Sequence, residues 1–199
     1  MKVGHGIHRL KSDMAILEGT KARMVPLDIE NHLDNYVRWL NDLEVTKYML
    51  IGDCVMTQMQ EREILMRLAT GSDSDRFWAI ETIDGEHIGT TALHQINHVH
   101  GTAMSGSFIG DKRCWGKGIG AELCKMRAWY AFTVLNLRQI HSSHLEGNEA
   151  SRKMLEKAGY TQVGCWPKRF WKQGAYCDES LYLLTREQWL ALSGGAMLW

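Results

Sequence analysis

The sequence predicts an α/β (α+β) domain built on a mixed, twisted central sheet, and three observations lead to that class. The stretch from Phe77 to Gly110 reads as strands separated by turn-forming residues, the pattern of an antiparallel meander. A glycine cluster from Gly116 to Gly120 then opens a helix with apolar residues at helical spacing. A strand–helix–strand run follows it. Hairpins that precede such a unit call for a sheet with both antiparallel and parallel neighbours, covered by helices.

Each element has its own local reason. Residues 1–15 show no clear period and read as an N-terminal tail or loosely attached segment, leaving 16–199 as a single domain. Ile16 to Pro26 reads as a strand with an internal turn at Glu18-Gly19. Leu33, Tyr36, Val37 and Leu40 recur at helical spacing and predict a short amphipathic helix. A second helix starts at Thr57, where Thr57-x-x-Gln60 is a capping-box pattern. Its stripe is Ile64, Leu65 and Leu68, and Gly71-Ser72-Asp73 ends it.

Phe77 to Ile83 then reads as a strand, Asp84-Gly85 as a two-residue hairpin turn, and Glu86 to Leu93 as the returning partner. Thr102 to Gly110 gives a third strand after a turn rich in His and Asn. The helix opened by the glycines carries Ile119, Leu123, Met126, Tyr130 and Val134 on one stripe. Leu137 to Leu145 is the next strand, and Asn148 to Ala158 the next helix, stopped by Gly159. Two last strands, Tyr160 to Trp166 and Glu179 to Leu184, flank a basic, aromatic connection.

Composition narrows the function classes. Lys plus Arg and Asp plus Glu each number 23, so the net charge is zero and the electrostatic excess of a nucleic-acid binder is missing. No apolar run nears the roughly 20 residues that span a bilayer, and the N-terminus lacks a signal-peptide core. The five cysteines (Cys54, Cys114, Cys124, Cys165 and Cys177) form no CxxC pair and suggest neither a disulfide framework nor a zinc knuckle. The expectation is a reduced, cytoplasmic protein with no nucleic-acid or membrane partner.

His94, His98 and His100 fit no standard metal spacing and read as surface histidines around a hairpin, so no metal is expected. Lys168, Arg169 and Lys172 interleave with Trp166, Phe170 and Trp171. With zero net charge this patch reads as a substrate rim or a dimer contact, and a homodimer is among the expected assemblies.

The glycine cluster carries the chemistry. Glycine permits positive φ and lets a ligand approach the main chain. The helix behind it offers unpaired N–H groups and a partial positive charge, an anion site suited to phosphate or pyrophosphate. A tight strand–helix turn that needs its glycines for packing is the structural alternative. No Gly-Lys-Ser/Thr ends the cluster, and position 121, where a dinucleotide fingerprint would place its third glycine, is alanine.

From about Leu17 to Trp189 the chain resembles the GNAT superfamily of N-acetyltransferases, in its ribosomal-protein-acetyltransferase-like branch. The resemblance rests on Trp39-Leu40-Asn41-Asp42, Phe108-Ile109-Gly110, Trp115-Gly116-Lys117-Gly118-Ile119-Gly120, Asn148-Glu149-Ala150-Ser151 and Glu156-Lys157-Ala158-Gly159-Tyr160, with Gly174, Asp178 and Trp189 closing the set. It implies the GNAT fold, with strands that splay where acetyl-CoA binds. It also implies that Gly116, Lys117, Gly118, Ile119 and Gly120 offer main-chain N–H groups to the CoA pyrophosphate. Asn148 would contact the pantetheine arm and Ser151 the CoA nearby, although Asn148 serves equally well as a plain helix cap. Trp115 stands where many members carry Gln or Arg.

Two further departures concern catalysis. Members often place a Glu on the strand before the glycine loop and a Tyr in the Asn-x-x-Ser helix; Met104 and Leu155 stand at those positions here. Acetyl transfer still requires a neutral amine, an oxyanion donor and a proton for the leaving thiolate. His144, Glu146 and Ser142, near the end of the strand before Asn148, are the candidate replacements. Strand alternation puts Ser142 and His144 on one face. Proximity with water carrying the proton is the alternative. Asp42 and Glu44 would attract a cationic amine, and Trp39 and Tyr176, with Tyr48 and Trp171, would line the acceptor cleft.

The expected function is acetyl-CoA-dependent transfer to a primary amine of a small molecule, such as an amino sugar, a polyamine or an amine-bearing antibiotic. The alternatives are N-terminal acetylation of a protein such as a ribosomal protein, and a non-catalytic acyl-CoA sensor.

Overall fold

Side-chain caps and positive-φ turns set most of the element boundaries. The computed structural model describes residues 15–51 and 55–194, so Cys54 and residues 1–14 of the expected tail lie outside it. Strands β1 (Leu17–Glu18) and β2 (Ala22–Val25) form the expected interrupted strand. Helix α1 (Ile29–Leu40) starts where the Asp28 carboxylate accepts the Asn31 N–H, and it buries Leu33, Tyr36, Trp39 and Leu40. A four-residue helix follows, α2 (Leu43–Thr46), capped by Asp42 and too short to show a period in sequence. Helix α3 (Gln58–Thr70) begins with the Thr57–Gln60 capping box and ends at Gly71, whose φ is +73°.

The meander follows as β3 (Arg76–Thr82), β4 (His87–Asn97) and β5 (Thr102–Ile109). Helix α4 (Ile119–Trp129), strand β6 (Gln139–Leu145) and helix α5 (Glu149–Lys157) come next. The chain closes with β7 (Thr161–Lys172), β8 (Ala175–Thr185) and α6 (Arg186–Ser193). Helix α6 carries a second capping box, Thr185 with Gln188, the same signature that marked Thr57, and the sequence reading did not use it.

Three boundaries differ from expectation for physical reasons. The last two strands run through the basic, aromatic segment, which is therefore strand rather than connection. Gln173 and Gly174 both take positive φ, 52° and 79°, the geometry that a two-residue turn needs to match strand twist. Strand β4 continues past Leu93 to Asn97 by way of an irregularity at Gln95, whose φ is +53°. The helix stripe expected to reach Val134 breaks at Trp129, because Tyr130–Val134 loosens into a π-helical turn and leaves Val134 exposed.

The eight strands form one sheet in the order β1-β2-β3-β4-β5-β6-β8-β7. Every pairing is antiparallel except β5 with β6. That parallel ladder joins only Thr102 to Gln139, Ala103 to Ile140 and Met104 to His141. Beyond it the strands part, with β5 held by β4 and β6 by β8. Helices α1 and α3 cover one face, where Trp39 meets Phe108 edge-on at 5.9 Å. Helices α4, α5 and α6 cover the other, where Leu123, Met126, Phe132, Leu155 and Trp189 join the main core.

Arg127 of α4 is fully buried beneath β4 and β5. Its Nε donates to Ser105 Oγ at 2.9 Å, Nη1 reaches the hydroxyls of Thr91 and Ser107, and Nη2 reaches Cys124 Sγ at 3.1 Å. Tyr160 also donates to Ser105 Oγ, at 3.1 Å. Among the described residues no carboxylate pairs with this cation.

The second core, between α1 and α3, holds a carboxyl group of the opposite kind. Glu61 is 3% exposed, and its Oε2 has no hydrogen-bond partner among the described residues. Burial pushes its pKa up to about 7. The folded state thus keeps a proton that the unfolded chain releases near pH 4.5, and stability falls as pH rises from there through 7. Glu61→Gln removes that penalty. It should match wild type at pH 4 and exceed it at pH 8 by on the order of 2 kcal/mol. Urea unfolding at the two pH values tests this, and an equal difference at both would contradict it.

Candidate active site

The glycine loop grows directly out of β5. Asp111 caps a short 3-10 turn, Lys112–Cys114, by accepting the Arg113 N–H. The Trp115 indole N–H then donates to the Ile109 carbonyl at 2.8 Å and ties the loop to the strand end. Gly116 and Gly118 take φ of +73° and +81°. Gly118 is the N-cap of α4, and no side chain caps the helix there. A Cβ at Gly116 would meet nothing within 4 Å, and one at Gly118 would meet only Lys21 Nζ, at 2.9 Å. The first amides of α4 are therefore left without a side-chain cap, and space is open beside Gly116.

The other loop residues divide the work. Lys117 offers its carbonyl to Lys21 Nζ at 2.9 Å, while Ile119 turns into the core. Gly120 is needed for packing, since a Cβ there would lie 2.7 Å from Met154 Sδ on α5. Asn148 caps α5, its Oδ1 accepting the Ser151 N–H at 3.1 Å.

Lys21 escaped the sequence reading because it lies far from the loop in sequence. The residue that brings it there is Glu122, in the first turn of α4. Its buried carboxylate accepts the N–H groups of Thr20, Lys21 and Ala22 at 2.8, 3.0 and 3.1 Å, and the Thr20 hydroxyl at 2.6 Å. Three amides and a hydroxyl on one carboxylate fix the β1–β2 turn against the loop.

Where β5 and β6 part, the two faces differ. On the α4 side Ser142 donates to the Ser105 carbonyl at 2.9 Å, which commits its hydroxyl. His144 shares that face, with its ring 5.3 Å from Tyr182. His144 Nδ1 lies 3.0 Å from the Leu145 carbonyl, and Nε2 is buried without a partner among the described residues. Glu146 is exposed just beyond the strand, and its N–H donates to the Asp178 carbonyl. The structure thus brings Ser142 and His144 to one face and leaves Glu146 at the rim.

On the α1 side the register aligns His94, Met104 and His141 across three strands. His94 is half-buried on the sheet, unlike the exposed His98 and His100, so its expected placement among surface histidines is corrected. Burial holds the pKa values of His94 and His141 below the usual histidine range.

The expected acceptor carboxylates already hold a cation. Lys112 Nζ lies 2.8 Å from both Asp42 Oδ2 and Glu44 Oε2. The pair pushes the Lys112 pKa up to about 12, and Lys112 holds the Asp42 carboxyl below its usual range. Trp39 is buried against Gly110, where a Cβ would strike its ring at 2.1 Å. Tyr176 is exposed on the β7–β8 hairpin, edge-on to Trp171 at 4.9 Å. Tyr48 donates to the Gly147 carbonyl at 2.8 Å, and Lys172 bonds to the Met49 carbonyl, so the hairpin and the α2 region converge beside the start of α5.

The acetyltransferase (GNAT) domain family matches residues 22–161. The chain belongs to the GNAT acetyltransferase family. It is 31% identical over 118 residues to spermidine N(1)-acetyltransferase of Escherichia coli (strain K12), covering 59% of this chain and 62% of that one. It is 31% identical over 106 residues to YdaF of Bacillus subtilis (strain 168), named as a candidate ribosomal N-acetyltransferase, covering 53% and 57%. The chain thus spans about three fifths of the length of these curated relatives. Among solved structures, spermidine N-acetyltransferase from Vibrio cholerae in complex with CoA and spermine superposes with a TM-score of 0.78 at 20% identity, covering 86% of this chain and 99% of that one. At that identity the likeness establishes the fold.

GNAT acetyltransferases use acetyl-CoA, and this GNAT domain fits its pyrophosphate in charge and shape, with uncapped helix amides, Lys21 and two glycines whose missing side chains leave space. No helix among the described residues is long and apolar enough to cross a membrane. Gly118→Asp should weaken acetyl-CoA binding at least about tenfold relative to Gly118→Ala, which carries the same positive-φ strain without the charge. Calorimetric titration of the two folded variants decides the matter; equal affinities would remove the loop from the cofactor site.

Proposed function

We propose that this chain is an acetyl-CoA-dependent N-acetyltransferase that acts on a primary amine of a small molecule, with polyamines ahead of amino sugars and amine-bearing antibiotics. The observation that carries the reading is the uncapped start of α4 lying beside the parting of β5 and β6. An anion cradle next to an interrupted ladder accommodates a long thioester whose charged end and reacting end must be held apart. The likeness to spermidine acetyltransferases supports ranking polyamines first.

In this reading the main chain from Gly116 to Gly120, helped by Lys21, holds the pyrophosphate. Asn148 and Ser151 flank the pantetheine arm. The thioester then lies between the parted arms of β5 and β6, and the bound amine attacks it directly, giving an acetamide and free CoA. Ser142, through its bond to the Ser105 carbonyl, fixes the arm of β5 at that point. His144 Nε2 and Glu146 remain proton-carrying candidates on the α4 side and at the rim. Asp42 and Glu44, with Lys112 as their internal counter-ion, and Trp39 and Tyr176 border the acceptor side.

A protein N-terminus is the second acceptor, favoured by the likeness to YdaF. Free-thiol release from acetyl-CoA across polyamines, amino sugars, aminoglycosides, amino acids and N-terminal peptides separates the readings. The expected result is release with a small amine, polyamines leading. Release with peptides alone would select the second reading, and tight acetyl-CoA binding with no release on any acceptor would defeat both.

A further inference from the structure

We propose that His94 is the base that takes the proton from the attacking amine. The inference rests on the acetyl-transfer reading above and assigns the proton to one atom, His94 Nε2.

The argument starts from strand register. His94 on β4 pairs with Met104 on β5, and Met104 pairs with His141 on β6. Cross-strand partners share a face of the sheet, so the three side chains form a row at the last level before β5 and β6 part. Helices α1 and α3 cover this side of the sheet, whereas Ser142 and His144 face α4 and α5. One level further along β5 the same face carries Gly106, which has no side chain. The sole atom within 4 Å of a Cβ placed there is His94 Nε2, at 3.7 Å. The imidazole therefore leans over Gly106, the first residue past the parting on this face, and among the described residues no other side chain comes within 4 Å of that Cβ position.

Availability separates His94 from its neighbours. Neither His94 ring nitrogen is hydrogen-bonded to a described residue. His141 Nε2 is already engaged by Gln139 Nε2 at 3.1 Å. Two nearby carboxylates, Asp75 and Glu179, are engaged as well, and Glu146 is exposed beyond the end of β6. Asp75 accepts from Ser72 Oγ, Ser74 Oγ and the Gln95 N–H, and Glu179 accepts from Ser143 Oγ at 2.6 Å with Arg169 3.7 Å away.

The surrounding charge suits the role. Burial lowers the His94 pKa, Asp75 just before the start of β3 raises it, and Arg127 beneath the sheet lowers it. Burial and Arg127 prevail, so the ring is neutral near pH 7 and free to accept a proton. The buried Arg127 also opposes the imidazolium once formed, which helps it give the proton up.

The step balances as follows. The lone pair of the neutral amine attacks the thioester carbonyl carbon and forms the C–N bond. The proton on that nitrogen passes to His94 Nε2. The C–S bond breaks with its electron pair on sulfur, the thiolate takes a proton from water, and His94 returns its proton to solvent.

The test uses the full chain and whichever amine of the panel turns over fastest, so a wrong guess about polyamines does not count against His94. His94→Gln should lower kcat about 100-fold or more, with the acetyl-CoA KM within about threefold and the melting temperature unchanged. Wild-type kcat should fall as pH drops through a value below the usual histidine pKa of about 6.5, and His94→Gln should lack that acid limb. His141→Gln should keep it. Adding Met104→Glu to His94→Gln returns a carboxylate one strand away and should recover at least tenfold. The proposal is overturned if His94→Gln retains the limb or a kcat near wild type, or if His141→Gln is the variant that loses the limb. Wild-type silence on every acceptor would instead overturn the acetyl-transfer reading, an outcome distinct from active enzyme in both forms.

Discussion

The parallel ladder between β5 and β6 ends after three residue pairs, and the rest of the site is organised around that interruption. Backbone groups that leave a ladder need other partners. Ser142 supplies one by donating to the Ser105 carbonyl across the parting. Beneath the same strand Arg127 binds the hydroxyls of Thr91, Ser105 and Ser107, and Tyr160 adds a bond to Ser105. Burying a cation without a carboxylate is costly, and here four polar side chains, Cys124 among them, share the task of solvating it. The arm of β5 is thereby held to β4 and α4 while the side toward β6 stays open.

Charge is arranged locally in a chain whose net charge is zero. Glu122 gathers the β1–β2 turn to the start of α4, and in doing so it places Lys21 against the Lys117 carbonyl beside the uncapped start of the helix. The negative charge that organises the turn is spent on backbone N–H groups, so the positive end of the helix and Lys21 remain available to an anion. The opposite arrangement holds at Asp42 and Glu44. These carboxylates bind Lys112, whose place on the turn after β5 lets it cross to the α2 region. A cationic acceptor drawn there would meet an ion pair, not two free carboxylates. The α1 side of the parting carries instead the half-buried His94 and His141, whose pKa values burial holds below the usual histidine range.

The β7–β8 hairpin shows how local chemistry can be overlooked. Its turn depends on Gln173 adopting positive φ beside Gly174, and glutamine gives no such signal in sequence. The basic and aromatic residues around it consequently read as a connection. In the fold they stand on two long strands whose tip reaches the segment after α2 through Lys172.

The sequence by itself determined the meander, the Thr57 capping box, the glycine-led start of α4 and the Asn148 cap. Each depends on residues within a few positions of one another, where spacing and side-chain chemistry act directly on the backbone. It also determined that Ser142 and His144 share a face, because alternation is a property of one strand. Only the tertiary structure decided that Lys21 serves the glycine loop, that Lys112 occupies the Asp42–Glu44 pair, and that His94 belongs to the sheet rather than to a surface cluster with His98 and His100. Those placements follow from register between distant strands and from long-range hydrogen bonds such as those of Glu122. No pattern along the chain encodes them, since the contact forms only when the sheet closes.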